Sequence, residues 1–113
     1  MISSPLPVSV SPFARMAKYR LSTRARLQLL EIYEFTAANF GKYQAEAYHA
    51  GLERTFDLLA DFPRIGQSAD DLAPQHRRFQ FQSHNIFYTE EPAHVLIRAI
   101  YHRAQDIRPK LFD

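Results

Sequence analysis

Ser83 and His84 are adjacent, and His102 and Asp106 follow four residues apart, so the chain holds a nucleophile, a base and an acid. A hydrolytic triad needs these three groups together, with the nucleophile exposed on a strained turn. No flanking glycines surround Ser83, and Gln82, His84 and Asn85 beside it are ordinary turn residues. The serine is therefore expected to form a turn, without a catalytic role. A metal centre needs His, Cys or carboxylates at short spacing on rigid elements. His76 and His84 flank a strand, but there is no cysteine and no helical pair of histidines. No metal site is expected. Gly41, Gly51 and Gly66 lie too far apart for a phosphate-cradling loop, and no cofactor is implied.

The remaining chemistry-bearing set is cationic. Arg77, Arg78, Arg98, His102, Arg103, Arg108 and Lys110 all fall in or just after the last part of the chain that patterns as strands. Arg98 interrupts an otherwise apolar run. Residues alternate between faces along a strand, so Arg98 and His102 are expected to share one face. Such a patch suits carboxylates or phosphates, although each residue alone is equally at home on a solvated surface. The net charge of +2 hides a segregation of charge along the chain. Residues 1–30 carry five bases and no acid, residues 31–71 eight acids and three bases, residues 72–113 six bases and four acids. A basic sheet under an acidic helical layer would give the molecule two electrically different sides.

These residues need a scaffold, and 113 residues set one domain. No apolar run is long enough to span a membrane. The absence of cysteine fits a cytoplasmic protein. Residues 1–16 are rich in Ser and Pro, lack the order of a secretory signal, and are expected to form a disordered tail or an upstream start. The domain proper is then residues 17–113. Tyr19 and Leu21 alternate with Lys18 and Arg20 as a short strand, and Ser22 can cap a helix. From Thr23 to Phe40, the positions Ala25, Leu29, Ile32, Tyr33, Thr36 and Phe40 form one core-facing stripe. Leu27 and Leu30 extend it onto a neighbouring face. Gly41 ends this helix. A second helix runs from about Lys42 to Ala60, with Ala45, Tyr48, Leu52, Phe56 and Leu59 inward, and Pro63 stops it. So short a link makes an antiparallel hairpin.

Residues 63–75 read as a loop. Phe79 and Phe81 mark a strand, Gln82-Ser83-His84-Asn85 a turn, Ile86 to Thr89 a second strand, and Val95 to Tyr101 a third. Short links make the three antiparallel. The first strand must join them to satisfy its backbone groups. The expected fold is two-layer α+β in the order β-α-α-β-β-β, with the helical hairpin on one face of a mainly antiparallel sheet.

The ordered set of signals resembles the ParE branch of the ParE/RelE toxin family. It comprises Tyr19-Arg20-Leu21-Ser22, then Ala25, Leu29, Ile32 and Tyr33, then Phe40-Gly41, Ala45, Tyr48, Leu52 and Leu59-Ala60. Pro63, Gly66, Arg77, Ser83-His84, Ile86-Phe87-Tyr88, Ile97-Arg98 and His102 to Asp106 complete it. Two positions depart from that pattern: Gln28 stands where Asp is frequent, and Gln67 follows Gly66 where Arg is common. The resemblance implies a toxin of a type II toxin–antitoxin pair that inhibits DNA gyrase and is wrapped by a ParD-like antitoxin. It implies no enzyme chemistry and contact with nucleic acid only through gyrase or the antitoxin. The candidate target contacts are Arg77, Arg98, His102, Arg103, Arg108 and Lys110; the candidate antitoxin contacts are Leu27, Leu30 and Arg20. The alternatives are a RelE-like ribosome-dependent messenger RNA endonuclease, for which His84 or His102 would have to move the proton, and an inactive module that binds its antitoxin alone.

Overall fold

A computed structural model describes residues 18–113. The reading of residues 1–16 as a tail falls outside them. Strand β1 (Tyr19–Leu21) leads into helix α1 (Thr23–Phe40) and helix α2 (Lys42–Asp61), followed by β2 (Gln67–Ser68), β3 (Arg77–Phe81), β4 (His84–Glu90) and β5 (Val95–His102). A 3₁₀ helix, Pro109–Phe112, closes the chain. The sheet order is β1-β5-β4-β3-β2, with β1 parallel to β5 and every other pair antiparallel. The expected α+β hairpin-on-sheet architecture is present, with one strand more than the pattern showed. Gln67 and Ser68 were expected in a loop, but they pair with Arg78 and Arg77. Two residues are too few to reveal an alternation.

Local chemistry sets the boundaries. The Ser22 hydroxyl accepts the Ala25 N–H at 3.0 Å, capping α1, while the Ser22 N–H donates to Ile97 O at 2.9 Å and ties the cap to β5. Gly41 sits at φ 94°, a conformation that favours glycine, and alone links the two helices. The β3–β4 hairpin has a tighter turn than the four residues expected. Phe81 pairs directly with His84, leaving Gln82 and Ser83 as the loop, with Gln82 at φ 48°.

The main core lies between hairpin and sheet. Leu29, Leu52, Phe56 and Leu59 pack against Ile86, Tyr88, Val95, Ile97 and Ile100, with Ile32, Tyr48 and Phe79 at its margin. Phe40 departs from its expected place in the stripe. It is 66% exposed at the linked end of the hairpin, beside Gly41, because α1 there runs beyond the edge of the core.

A second core corrects the expectation that the sheet is covered on one face only. Ala69, Phe87, Ala99 and Tyr101 form it on the far side, covered by Leu72, Ile107, Leu111 and Phe112. Phe112 stacks edge-on against Phe87 with ring centroids 4.9 Å apart. Tyr101 donates its hydroxyl to Leu111 O at 2.6 Å, and Arg24 reaches from α1 to Asp113 O at 2.6 Å. The C-terminal segment is thus a strap across the sheet.

Candidate functional site

The faces of β5 decide where the candidate residues point. Ile86 pairs with Ile100 and Phe87 with Ala99, but Tyr88 pairs with Ile97, so Arg98 is an extra residue in a β-bulge. Before the bulge Val95 and Ile97 face the main core; after it Ile100 does. Ala99 and Tyr101 face the second core. The bulge shifts the alternation by one, and Arg98 and His102 therefore lie on opposite faces. The expectation that they share one is wrong for that reason.

His102 belongs to a groove of about 920 Å³ between the linked end of the hairpin, near Gly41, and the β3–β4 turn. Ile32, Phe35 and Phe40 of α1 form its apolar wall, and Tyr48, His84 and His102 its polar floor. Tyr48 Oη lies 2.7 Å from His84 Nδ1 and accepts the Ser83 N–H at 3.2 Å. Burial raises the Tyr48 pKa, and the phenol, which also reaches Phe81 O at 3.4 Å, shares a hydrogen bond with His84 Nδ1. The His84 imidazole is partly buried. Its pKa is pushed down to about 4, first by burial and then by the electrostatic influence of the neighbouring His102. The two imidazole rings meet edge-on at 5.3 Å. His102 Nδ1 accepts the Ala104 N–H at 3.0 Å, so this ring presents Nε2–H. The floor is a pair of neighbouring imidazoles, of which His102 presents a donor. Among the described residues, Glu31 is the acid lining the groove, and no Lys or Arg lines it. Among the described residues no group of three His, Cys, Asp or Glu is arranged to hold a metal ion.

The arginines divide by what they touch. Arg77 donates to Gly66 O at 2.8 Å, fastening the loop after α2. Arg98 donates to Thr89 Oγ1 at 3.1 Å and pairs with Glu91 at 3.6 Å. The Glu91 carboxyl titrates lower than usual, chiefly because the Thr89 hydroxyl donates to it and then because Arg98 is close. Arg108 pairs with Asp106 at 2.8 Å, and Lys110 is exposed on the strap. Arg103 has neither kind of tether among the described residues. It lines a second depression, of about 610 Å³, with Gln67, Arg78, Gln80 and Asn85. The six expected target contacts do not form one patch. Arg78, part of the basic set but outside those six, is the residue that joins Arg103.

Of the expected antitoxin contacts, Leu27 and Leu30 are 56% and 54% exposed on the outer side of α1, and Arg20 is exposed on the edge strand β1. Tyr48, expected inward on α2, packs at the margin of the main core and also organises the groove floor. Its hydroxyl carries no sequence signal of that role. Phe35 is a groove residue off the apolar stripe; an aromatic outside the core period was the available hint.

Residues 19–107 match the family described as ParE toxin of type II toxin-antitoxin system, parDE. A relative named Toxin ParE1 from Mycobacterium tuberculosis is 35% identical over 89 residues, which cover 77% of this chain and 91% of that protein. Toxin ParE1 from Caulobacter vibrioides is 32% identical over 96 residues, covering 85% and 99%. A solved chain from the "Chromosomal ParDE TA system from P. aeruginosa" shares the fold with a TM-score of 0.67 at 14% identity, covering 78% of this chain and 97% of that one.

Proposed function

Because the chain belongs to the ParE toxin family of type II toxin–antitoxin systems, we propose that it inhibits DNA gyrase by binding, without bond-breaking chemistry, and is neutralised by a ParD-like antitoxin. The family match over residues 19–107 carries this reading. Acting on gyrase places it in the cytoplasm, with the chromosome.

The surface supports a folding-upon-binding antitoxin. Phe35, Phe40, Leu27 and Leu30 are each more than half exposed, an unusual concentration of apolar surface on one short hairpin. A segment that folds on binding typically buries about 1,000–3,000 Å². The groove, the outer side of α1 and the edge strand β1 with Arg20 together offer a path of that kind.

The endonuclease alternative draws on the His84–His102 pair. Phosphoryl chemistry needs a cation beside the acid–base groups, and among the described residues no Lys or Arg lines the groove. Arg78 and Arg103 lie across the sheet from it. Binding without cleavage fits this separation better. Co-expression with the neighbouring antitoxin gene tests the pairing: one gel-filtration peak at micromolar concentration is expected, and separate elution would refute it.

A further inference from the structure

Arg78, Arg103, Gln67, Gln80 and Asn85 meet on the far face of the sheet, outside the area covered by the C-terminal strap. Strand geometry brings them together. Gln67 pairs with Arg78, and Gln80 pairs with Asn85 across β3 and β4. Arg78 and Gln80 alternate with Phe79 and Phe81, which pack toward the helices. Arg103 follows Tyr101 by two residues on the same face, and its N–H donates to Ser83 O at 2.8 Å, prolonging the β4–β5 ladder. The depression has no acidic residue in its lining, and neither arginine has an ion-pair partner among the described residues.

We infer that this shelf binds the phosphodiester backbone of a nucleic-acid strand, so that the toxin touches DNA directly when it engages gyrase. Two untethered guanidinium groups suit phosphate oxygens, which accept paired N–H donors. The three flanking amides offer both donors and acceptors for sugar and base edges. An acidic protein segment would need aromatic or aliphatic anchors in a desolvated pocket to bind tightly. The shelf has Ile65 and Phe79 at its margin and polar groups across its floor. The choice of DNA, and not the site itself, rests on the gyrase reading.

The test is fluorescence anisotropy of a labelled 20-nucleotide DNA strand, its duplex and the RNA of the same sequence. The full chain is compared with R78Q/R103Q, with the charge-retaining R78K/R103K, and with Arg54→Gln as a remote control. Two phosphate contacts predict about a seven- to twelvefold loss of affinity between 50 and 200 mM salt. R78Q/R103Q should lose that salt dependence, R78K/R103K should keep it, and Arg54→Gln should match the parent. Binding of the ParD-like partner by all variants confirms that they are folded. Absence of nucleic-acid binding by the parent chain, or equal binding by R78Q/R103Q, overturns the inference. So does arginine-dependent binding of a hexaglutamate peptide in place of all three nucleic acids. RNA binding without DNA binding overturns direct DNA contact. A parallel supercoiling assay separates the two readings: nucleic-acid binding without gyrase inhibition sinks the gyrase reading and leaves the shelf standing.

Discussion

The side-chain oxygen of Gln28 accepts the backbone N–H of Ile100 at 2.7 Å, so helix α1 continues the hydrogen bonding of β5 where β1 has ended. The β5 edge passes through three partners in order. Leu21 pairs with Ile97, the Ser22 hydroxyl donates to Arg98 O at 2.9 Å, and Gln28 takes the Ile100 N–H. A bulged strand leaves backbone groups out of the ladder, and these side chains satisfy them.

Replacing Gln28 by Ala should cost about 1–3 kcal/mol, the usual penalty for stranding a mostly buried donor. Glu at this position keeps an acceptor and should retain most of the stability. Urea unfolding of both variants checks this, and an Ala variant as stable as the parent would show the bond to be dispensable.

Phe56 is fully buried, its ring 5.2 Å from that of Tyr19, at the meeting point of α2, β1 and the sheet. Phe56→Ala should lose about 3–5 kcal/mol, as for a large buried aromatic. Growth arrest should disappear with the fold. Equal denaturation midpoints for the two proteins would place the core elsewhere.

Much of this was legible in the sequence, for identifiable reasons. The stripe from Ala25 through Ile32 and the one from Ala45 to Leu59 mark both helices, since a helix buried on one face must repeat its apolar residues at that spacing. Ser22, Gly41 and Pro63 mark their ends. The bulge at Arg98 was not legible, because one inserted residue changes facing without changing composition. It moved His102 to the groove and left Arg98 on the far side with Thr89 and Glu91. The partners of Arg77 and Arg108, which remove them from a free basic patch, are a backbone oxygen and an aspartate that composition alone does not pair.

His84 makes stability depend on pH. Its folded-state pKa is about 4, below the ordinary 6.5, so the unfolded chain binds the proton more readily. This contribution is complete above pH 6.5, falls as the pH drops from 6.5 to 4, and is flat below that. Melting temperatures of the parent and of His84→Gln should diverge most at neutral pH and converge through this window. Parallel curves from pH 4 to 7 would remove His84 from the account.

The strap makes its own contribution to the fold. Phe112 contacts Phe87, Tyr101 and His76 but stays partly exposed. Phe112→Ala should therefore destabilise the chain by less than the about 3–5 kcal/mol expected of a fully buried Phe. Hydrogen exchange should quicken at the amides of β5 near Tyr101. Unchanged exchange there would mean that the strap does not hold the sheet.

The proposed inhibition of gyrase and its relief by a ParD-like partner can be read in one assay. Purified protein is incubated with gyrase and relaxed plasmid, with and without that antitoxin, and in parallel with translating ribosomes. Supercoiling should stop in the presence of the chain and recover when the antitoxin is added first, with messenger RNA intact throughout. Cleaved message together with undisturbed supercoiling would contradict the account and establish the endonuclease in its place.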